Sequence, residues 1–342
     1  MKPRCKNLEW RFMRPLNKKI LSQFHRIQDI IDNNDRFLIS THINPDGDAI
    51  SSVLVFYALL QYKKKTVQIC IQDVVPEKFN FLSGVEAIQK AEEMDDLFNP
   101  EALVILDSAD LNRLGCVKDR IKKNHLVINI DHHASNQRFG NVNVVDDSES
   151  SAVEIVYQLT RYMKMPTTPE VATLVYTGII CDTGSFRFPN TSERSLEVCA
   201  EMVKSGAVPE YIAEKIYYRM SRQTIKGLAS ALATVEFHYE GRVCCMYLSY
   251  EILKEAEPVD TEGFVDYLMA VDETEVEFFM LEKSPGCFRV SLRSKNTLDV
   301  NGVARKFGGG GHVRAAGCTI NGNVEEVKFR LLVELGVYLD GK

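Results

Sequence analysis

Between Pro15 and Asp35 the apolar residues Ile20, Phe24, Ile27 and Ile31 recur at steps of four, three and four, the stripe of an amphipathic helix. The pattern then changes to short, branched, apolar runs: residues 36–40 (RFLIS), 66–71 (TVQICI), 102–107 (ALVILD) and 125–131 (HLVINID). Short, branched, mostly apolar runs separated by polar and helical stretches predict a parallel sheet with helices on both faces, an α/β domain. One helix starts near Asp48 and continues through VLVFYALLQY, and others fill 151–162, 169–180, 192–205 and 209–218. Residues 221–235 are helical in pattern. Beyond them FHYEGRVCCMYLSY, EVEFFMLEK and CFRVSLRS alternate apolar and polar positions around the turns Glu240-Gly241 and Pro285-Gly286, predicting a smaller α+β domain. The expected organisation is an extension at 1–24, a first domain at 25–205, a helical linker at 206–235 and a second domain at 236–342, with a site in the cleft between the domains.

A chain of 342 residues has room for two cores, and 45% hydrophobic with 26% charged residues is ordinary for globular protein. The longest apolar stretch, Ala49 to Leu60, is too short to span a bilayer and is broken by Ser51 and Ser52, and the first residues carry no export signal. Nine cysteines without a CxxC pair speak for a reducing, cytoplasmic setting. A net charge of -6 argues against general adhesion to long nucleic acid, so any phosphate binding must be local.

In α/β sheets ligands sit at the carboxyl ends of strands, and the polar residues of note lie there. THINPDGDA sets His42, Asp46 and Asp48 on one loop after the first strand; Asp107 ends the third run; Asp131, His132 and His133 end the fourth; Asp182 emerges from an apolar helix in TGIICDTGSF. Each has an ordinary reading as a cap or a surface group. Together they gather carboxylates and imidazoles at element ends, and such an acidic pocket calls for divalent cations. Oxygen and imidazole donors without thiolate suit Mn²⁺, or Mg²⁺, and two such ions stabilise both the attacking and leaving oxygens in displacement at phosphorus. In the C-terminal half, Gly308 to Gly311 followed by His312 offers bare N–H groups for an anion nest, and Arg293 stands at a strand end. Arg113 and Arg187 are further cations close to the motifs.

HINPDGDA, LDSAD, DHH and DTGSF, in this order, resemble the four metal-binding motifs of the DHH phosphoesterase superfamily, and FGGGGHVRAAG resembles the glycine-rich signature of its DHHA-type C-terminal domain. The resemblance spans residues 25 to 335 and is nearest to the NrnA-like subgroup. It departs at Thr41 and Ser51, where many members have Ser and Gly, and in the N-terminal extension. The resemblance implies that His42 and Asp46 hold one metal, that Asp48, His132 and Asp182 hold the other, and that Asp107 bridges them. It implies further that Asp131 orients His132, that His133 contacts or protonates the scissile phosphate ester, and that Arg293, Gly309, Gly310, Gly311 and His312 grip the substrate. The implied function is hydrolysis of short RNA or DNA oligonucleotides, linear dinucleotides or 3'-phosphoadenosine 5'-phosphate. The alternatives are a cyclic di-AMP phosphodiesterase, a pyrophosphatase, disfavoured by GGGGH, and a nonenzymatic nucleotide-binding regulator, disfavoured by the complete ligand set. The oligomeric state stays open, a homodimer included.

Overall fold

A computed structural model describes residues 17–94, 98–122, 125–218, 220–255, 259–261, 263–295 and 298–340. The chain forms two compact units, Met1–Arg219 and Met220–Lys342. In the first, the elements in chain order are α1 (Lys18–Asn33), β1 (Arg36–Ser40), α2 (Gly47–Tyr62), β2 (Thr66–Ile71), β3 (Ile88–Lys90), β4 (Ala102–Leu106), β5 (Leu126–Asp131), β6 (Val142–Val145), α3 (Ala152–Tyr162), α4 (Pro169–Asp182), α5 (Glu193–Lys204) and α6 (Pro209–Tyr217). The stripe that predicts α1 is the face it buries: Ile20, Phe24, Ile27 and Ile31 join the core, each such side chain contributing about 1.5–3 kcal/mol. Residues 18–24, expected in an extension, therefore belong to the domain.

All six strands pair in parallel in the order β3-β2-β1-β4-β5-β6. From β1 the chain winds outward through β2 and β3, then returns to the other side of β1 and winds through β4, β5 and β6. The switch point lies between β1 and β4, where adjacent strand ends diverge into a crevice. His42 follows β1 and Asp107 follows β4, so the topology itself brings these two together.

Alternate strand residues face opposite sides. Phe37, Ile39, Val104, Leu106, Ile128 and Ile130 pack with residues of α1 to α6, while Leu38, Leu103, Ile105 and Val127 pack with Leu114 and Val117 of a 3-10 segment, Leu111–Arg120. Helical cover on both faces is the sequence-based expectation; one face is covered by α-helices and the other by the 3-10 segment.

The second unit holds α7 (Arg222–Leu232), β7 (Glu236–His238), β8 (Val243–Leu248), α8 (Tyr250–Glu255), β9 (Val276–Ser284), β10 (Cys287–Ser294), α9 (Val300–Lys306), β11 (Gly310–His312), β12 (Ala315–Asn321) and α10 (Val324–Asp340). Its sheet runs β11-β12-β10-β9-β8-β7, antiparallel except for the β8 and β9 pair. Val276, Phe278 and Val290 pack with α9 and α10; Cys244, Met246 and Phe279 pack with Leu228 and Ala231 of α7. The expected linker at 206–235 is thus divided. Ile212 of α6 is in the core of the first unit, and α7 contributes its apolar face to the second. Among the described residues no helix is long and apolar enough to cross a membrane.

Candidate metal centre

The loop after β1 is shaped by what its carboxylates cap. Asp46 is the N-cap of α2 and accepts from the backbone N–H groups of Asp48 (3.1 Å) and Ala49 (3.0 Å). Asp48, fully buried in the first turn, serves a different helix. Its carboxylate accepts from Ala152 N (2.6 Å) and Val153 N (2.9 Å), the first N–H groups of α3, whose own N-cap Ser151 makes no side-chain cap bond. A carboxylate at a helix N-terminus meets unpaired donors and the positive end of the helix dipole. Asp48 is thereby fixed from two elements.

Gly47 is required by crowding. A Cβ there would lie 2.3 Å from Cys181 Sγ and 2.6 Å from Cys181 Cβ, so the start of α2 touches the end of α4. That contact brings Asp48 beside Asp182. Gly47→Ala should therefore cost roughly 2–4 kcal/mol of stability, measured by chemical denaturation of the metal-free protein, and Cys181→Gly in the same chain should recover part of it. An unchanged midpoint would remove the crowding argument.

Asp107 adopts a φ of 50°, uncommon for a residue other than glycine. Its N–H donates to Ile130 O (2.9 Å), which ties the end of β4 to β5, and the unusual backbone turns the carboxylate into the crevice. His42 Nε2 lies 3.3 Å from Asp107 Oδ2, and His132 Nε2 lies 3.6 Å from Asp107 Oδ1. His132 Nε2 is also 3.6 Å from Asp182 Oδ2 and 4.0 Å from Asp48 Oδ2. Donor atoms of His42, Asp46 and Asp107 lie within 4.8 Å of one another, and those of Asp48, His132 and Asp182 do likewise. Asp107 reaches both groups.

Asp131 faces the other way along the chain. Its Oδ1 accepts from the His132 N–H (2.9 Å) and lies 2.7 Å from His133 Nδ1, so it fixes the backbone of one histidine and the ring of the other. The expected orientation of the His132 ring by Asp131 gives way to this division, because adjacent side chains on an extended segment point to opposite sides. Asn136 Nδ2 in turn donates to Asp131 Oδ2 (2.6 Å) and Asn129 Oδ1 (2.9 Å), and Asn190 Nδ2 donates to Asp182 Oδ2 (3.1 Å). Neither asparagine stands out in the sequence; the one available signal is their place within eight residues of a candidate ligand.

The charges are unbalanced. Burial, then the neighbouring Asp107, Asp182 and Asp46, push Asp48 well above the usual carboxylate range. Asp182 is pushed up to about 7, by burial first, with His132 opposing and Asp46 and Asp107 adding to it. Burial also works against Asp107, yet the hydrogen bond and charge of His42, with His133 and His132, hold it far down. His42 is raised: burial is outweighed by Asp107 and Asp46. His133 rises to about 9 because, against burial, it is paired with Asp131 and faces Asp107. Asp107 Oδ1 is buried and accepts no hydrogen bond. Carboxylates that resist ionising together, one buried oxygen without a donor, and imidazoles turned toward them fit divalent cations of the Mn²⁺ or Mg²⁺ kind.

The sequence-derived candidates of the second unit have a different setting. Arg293 Nε pairs with Asp266 Oδ1 at 3.1 Å. Gly310, Gly311 and His312 form the edge strand β11, in register with Gly317, Ala316 and Ala315 of β12. A Cβ on Gly309 would lie 2.1 Å from Gly317 O, and one on Gly311 would lie 2.5 Å from Ala315 O. Close backbone approach in a sheet thus demands these glycines, where a bare nest is the sequence-based expectation.

The family model of the DHH family, N-terminal domain, matches residues 36–179, and that of the DHHA1 domain matches residues 242–334. A Thermus thermophilus protein named bifunctional oligoribonuclease and PAP phosphatase NrnA is 35% identical over 284 residues, 83% of this chain and 84% of its own length. A Bacillus subtilis protein of the same name is 27% identical, covering 84% of this chain and 90% of its own. The crystal structure of an exopolyphosphatase-related protein from Bacteroides fragilis shares the fold with a TM-score of 0.86 at 23% identity, over 93% of this chain and 96% of that one.

Proposed function

This chain belongs to the DHH family, and from that premise we propose that it is a metal-dependent phosphoesterase acting on short oligoribonucleotides and on 3'-phosphoadenosine 5'-phosphate, with Mn²⁺ as the working ion. The observation that carries the reading is the pair of donor groups, His42 with Asp46 and Asp48 with His132 and Asp182, joined through Asp107. Cations held there would supply Lewis-acid stabilisation of the oxygens entering and leaving phosphorus.

The chain's own residues do the rest. Against burial, the Asp131 carboxylate raises His133, which gives its proton to the leaving oxygen. Asp131 holds that imidazole through Nδ1, so Nε2 is the nitrogen that meets the ester. Asn136 holds Asp131, and Asn190 holds Asp182. Arg293, Gly309, Gly310, Gly311 and His312 are the nucleotide contacts assigned to the second unit, Asp266 orienting the Arg293 guanidinium. The free cysteines suit a reducing cytoplasm.

The test is a turnover screen of purified protein, stripped with EDTA and reloaded with Mn²⁺ or Mg²⁺, against a dinucleotide, a 3'-phosphoadenosine 5'-phosphate sample, cyclic di-AMP and a long single strand. Expected is no turnover without metal, restoration by Mn²⁺, and preference for the first two substrates. Full turnover in excess EDTA would overturn the metal assignment, and preference for the long strand the substrate assignment. The Mn²⁺ concentration for half-activation should rise as pH falls through about 7, because Asp182, raised to about 7, must lose its proton to bind.

A further inference from the structure

Arg113 stands apart from the carboxylates around it. It lies in the 3-10 segment within the β4 to β5 connection, half-buried, and its backbone is held on both sides. Its N–H is capped by Asp110 Oδ1 (3.3 Å), and its carbonyl accepts from the N–H of Ile43 (2.7 Å), the residue after His42. Two residues on, Gly115 turns at a φ of 59° and ψ of -134°, and Cys116 N donates to Gln72 Oε1 (2.8 Å). The segment is therefore pinned to the His42 loop and to the end of β2. Arg113 is close enough for its charge to act on both His42 and His133.

Asp46, Asp48, Asp107 and Asp182 gather at this site, yet among the described residues the Arg113 side chain makes no hydrogen bond or ion pair. Coulomb attraction alone would draw a mobile guanidinium onto one of those carboxylates. A cation held beside an acidic centre and paired with none of it is set for an anion that arrives with the substrate, and the guanidinium fork matches phosphate oxygens.

The geometry points to Arg113 as a phosphate-binding residue of this centre, its guanidinium on the pinned segment beside His42 taking a non-bridging oxygen of the phosphoryl group under attack. This rests on the phosphoesterase reading and adds a contact that none of the metal ligands supplies. It also separates two jobs: the carboxylates and imidazoles hold cations, while Arg113 neutralises substrate.

Arg113→Ala and Arg113→Lys are compared with the wild type by calorimetry, first titrating Mn²⁺ alone and then adenosine 5'-phosphate into the Mn²⁺-loaded protein, alongside kinetics on a dinucleotide. Expected for Arg113→Ala is a roughly ten- to hundredfold loss of adenosine 5'-phosphate affinity and of kcat/KM, with Mn²⁺ affinity equal to or tighter than wild type because a nearby positive charge is gone. Arg113→Lys, which keeps the charge and loses the fork, should fall between. Affinity and kcat/KM of Arg113→Ala within about twofold of wild type would overturn the inference. So would a loss of Mn²⁺ affinity in step with the nucleotide loss, which would assign Arg113 to holding the His42 loop. A wild-type protein that binds Mn²⁺ but neither binds nor hydrolyses nucleotide would overturn the phosphoesterase reading, and this inference with it.

Discussion

Asp107→Asn is expected to abolish turnover, lowering kcat on a dinucleotide by on the order of 10³ or more, while the metal-free protein melts close to wild type. The two halves of the expectation have separate causes. Asparagine tolerates the left-handed backbone that Asp107 adopts at a φ of 50°, so the turn at the end of β4 survives. The lost negative charge, however, is the one shared by both donor groups, through the 3.3 Å approach to His42 and the 3.6 Å approach to His132. Residues that merely support a metal ligand cost roughly 10- to 100-fold in affinity when changed, and a donor common to two ions should cost more. Steady-state kinetics at saturating Mn²⁺, with a thermal melt in EDTA, checks both parts. Near wild-type turnover in this variant would place the bridge elsewhere.

The second large effect distinguishes two substitutions at one position. Asp48→Ala leaves the first N–H groups of α3, at Ala152 and Val153, buried without an acceptor, so the metal-free protein should lose about 2–4 kcal/mol. Ala152 N and Val153 N use different Asp48 oxygens, so Asp48→Asn keeps an acceptor for one of them and turns its NH2 toward the other, while it removes a carboxylate that burial and its acidic neighbours push well above the usual range. In EDTA the Asn variant should therefore lose less stability than the Ala variant. Both variants should lose Mn²⁺ binding and activity, since neither carries charge at 48. Chemical denaturation with and without Mn²⁺ reads all of this: wild type gains stability from the ion by mass action and the variants do not. If Asp48→Ala in EDTA were as stable as Asp48→Asn, the capping of α3 by a distant carboxylate would be energetically idle.

Several parts of the fold follow from local pattern alone. The steps between Ile20, Phe24, Ile27 and Ile31 define the buried face of α1, and the apolar runs at 36–40, 66–71 and 102–107 are β1, β2 and β4 to within a residue. Period and propensity are local properties, so they are legible without knowing what packs where. The short strands β3 and β6 are not legible in this way. Three or four residues carry too little periodicity, and they become strands because β2 and β5 offer open edges to pair with.

The candidate site divides along the same line. Its residue types and strand-end positions, with Asp107 after β4 and Asp131 to His133 at the end of β5, are properties of the sequence, and so is the implication of phosphoester chemistry. Which oxygen serves which partner is decided by tertiary structure. Asp46 caps its own helix while Asp48 caps α3, 104 residues further along the chain. Asp131 holds the His133 ring, with Asn136 behind it. Arg293 is met by Asp266, Gly309 and Gly311 answer to the backbone of β12, and among the described residues Arg113 stands beside the acidic centre with no carboxylate partner of its own. Each of these depends on groups far apart in sequence meeting through parallel strand order and helix packing, and one-dimensional pattern does not encode distance. The sequence by itself determined what chemistry this chain carries and near which strand ends; the sheet order, with its switch point between β1 and β4, decided which of those residues share a crevice.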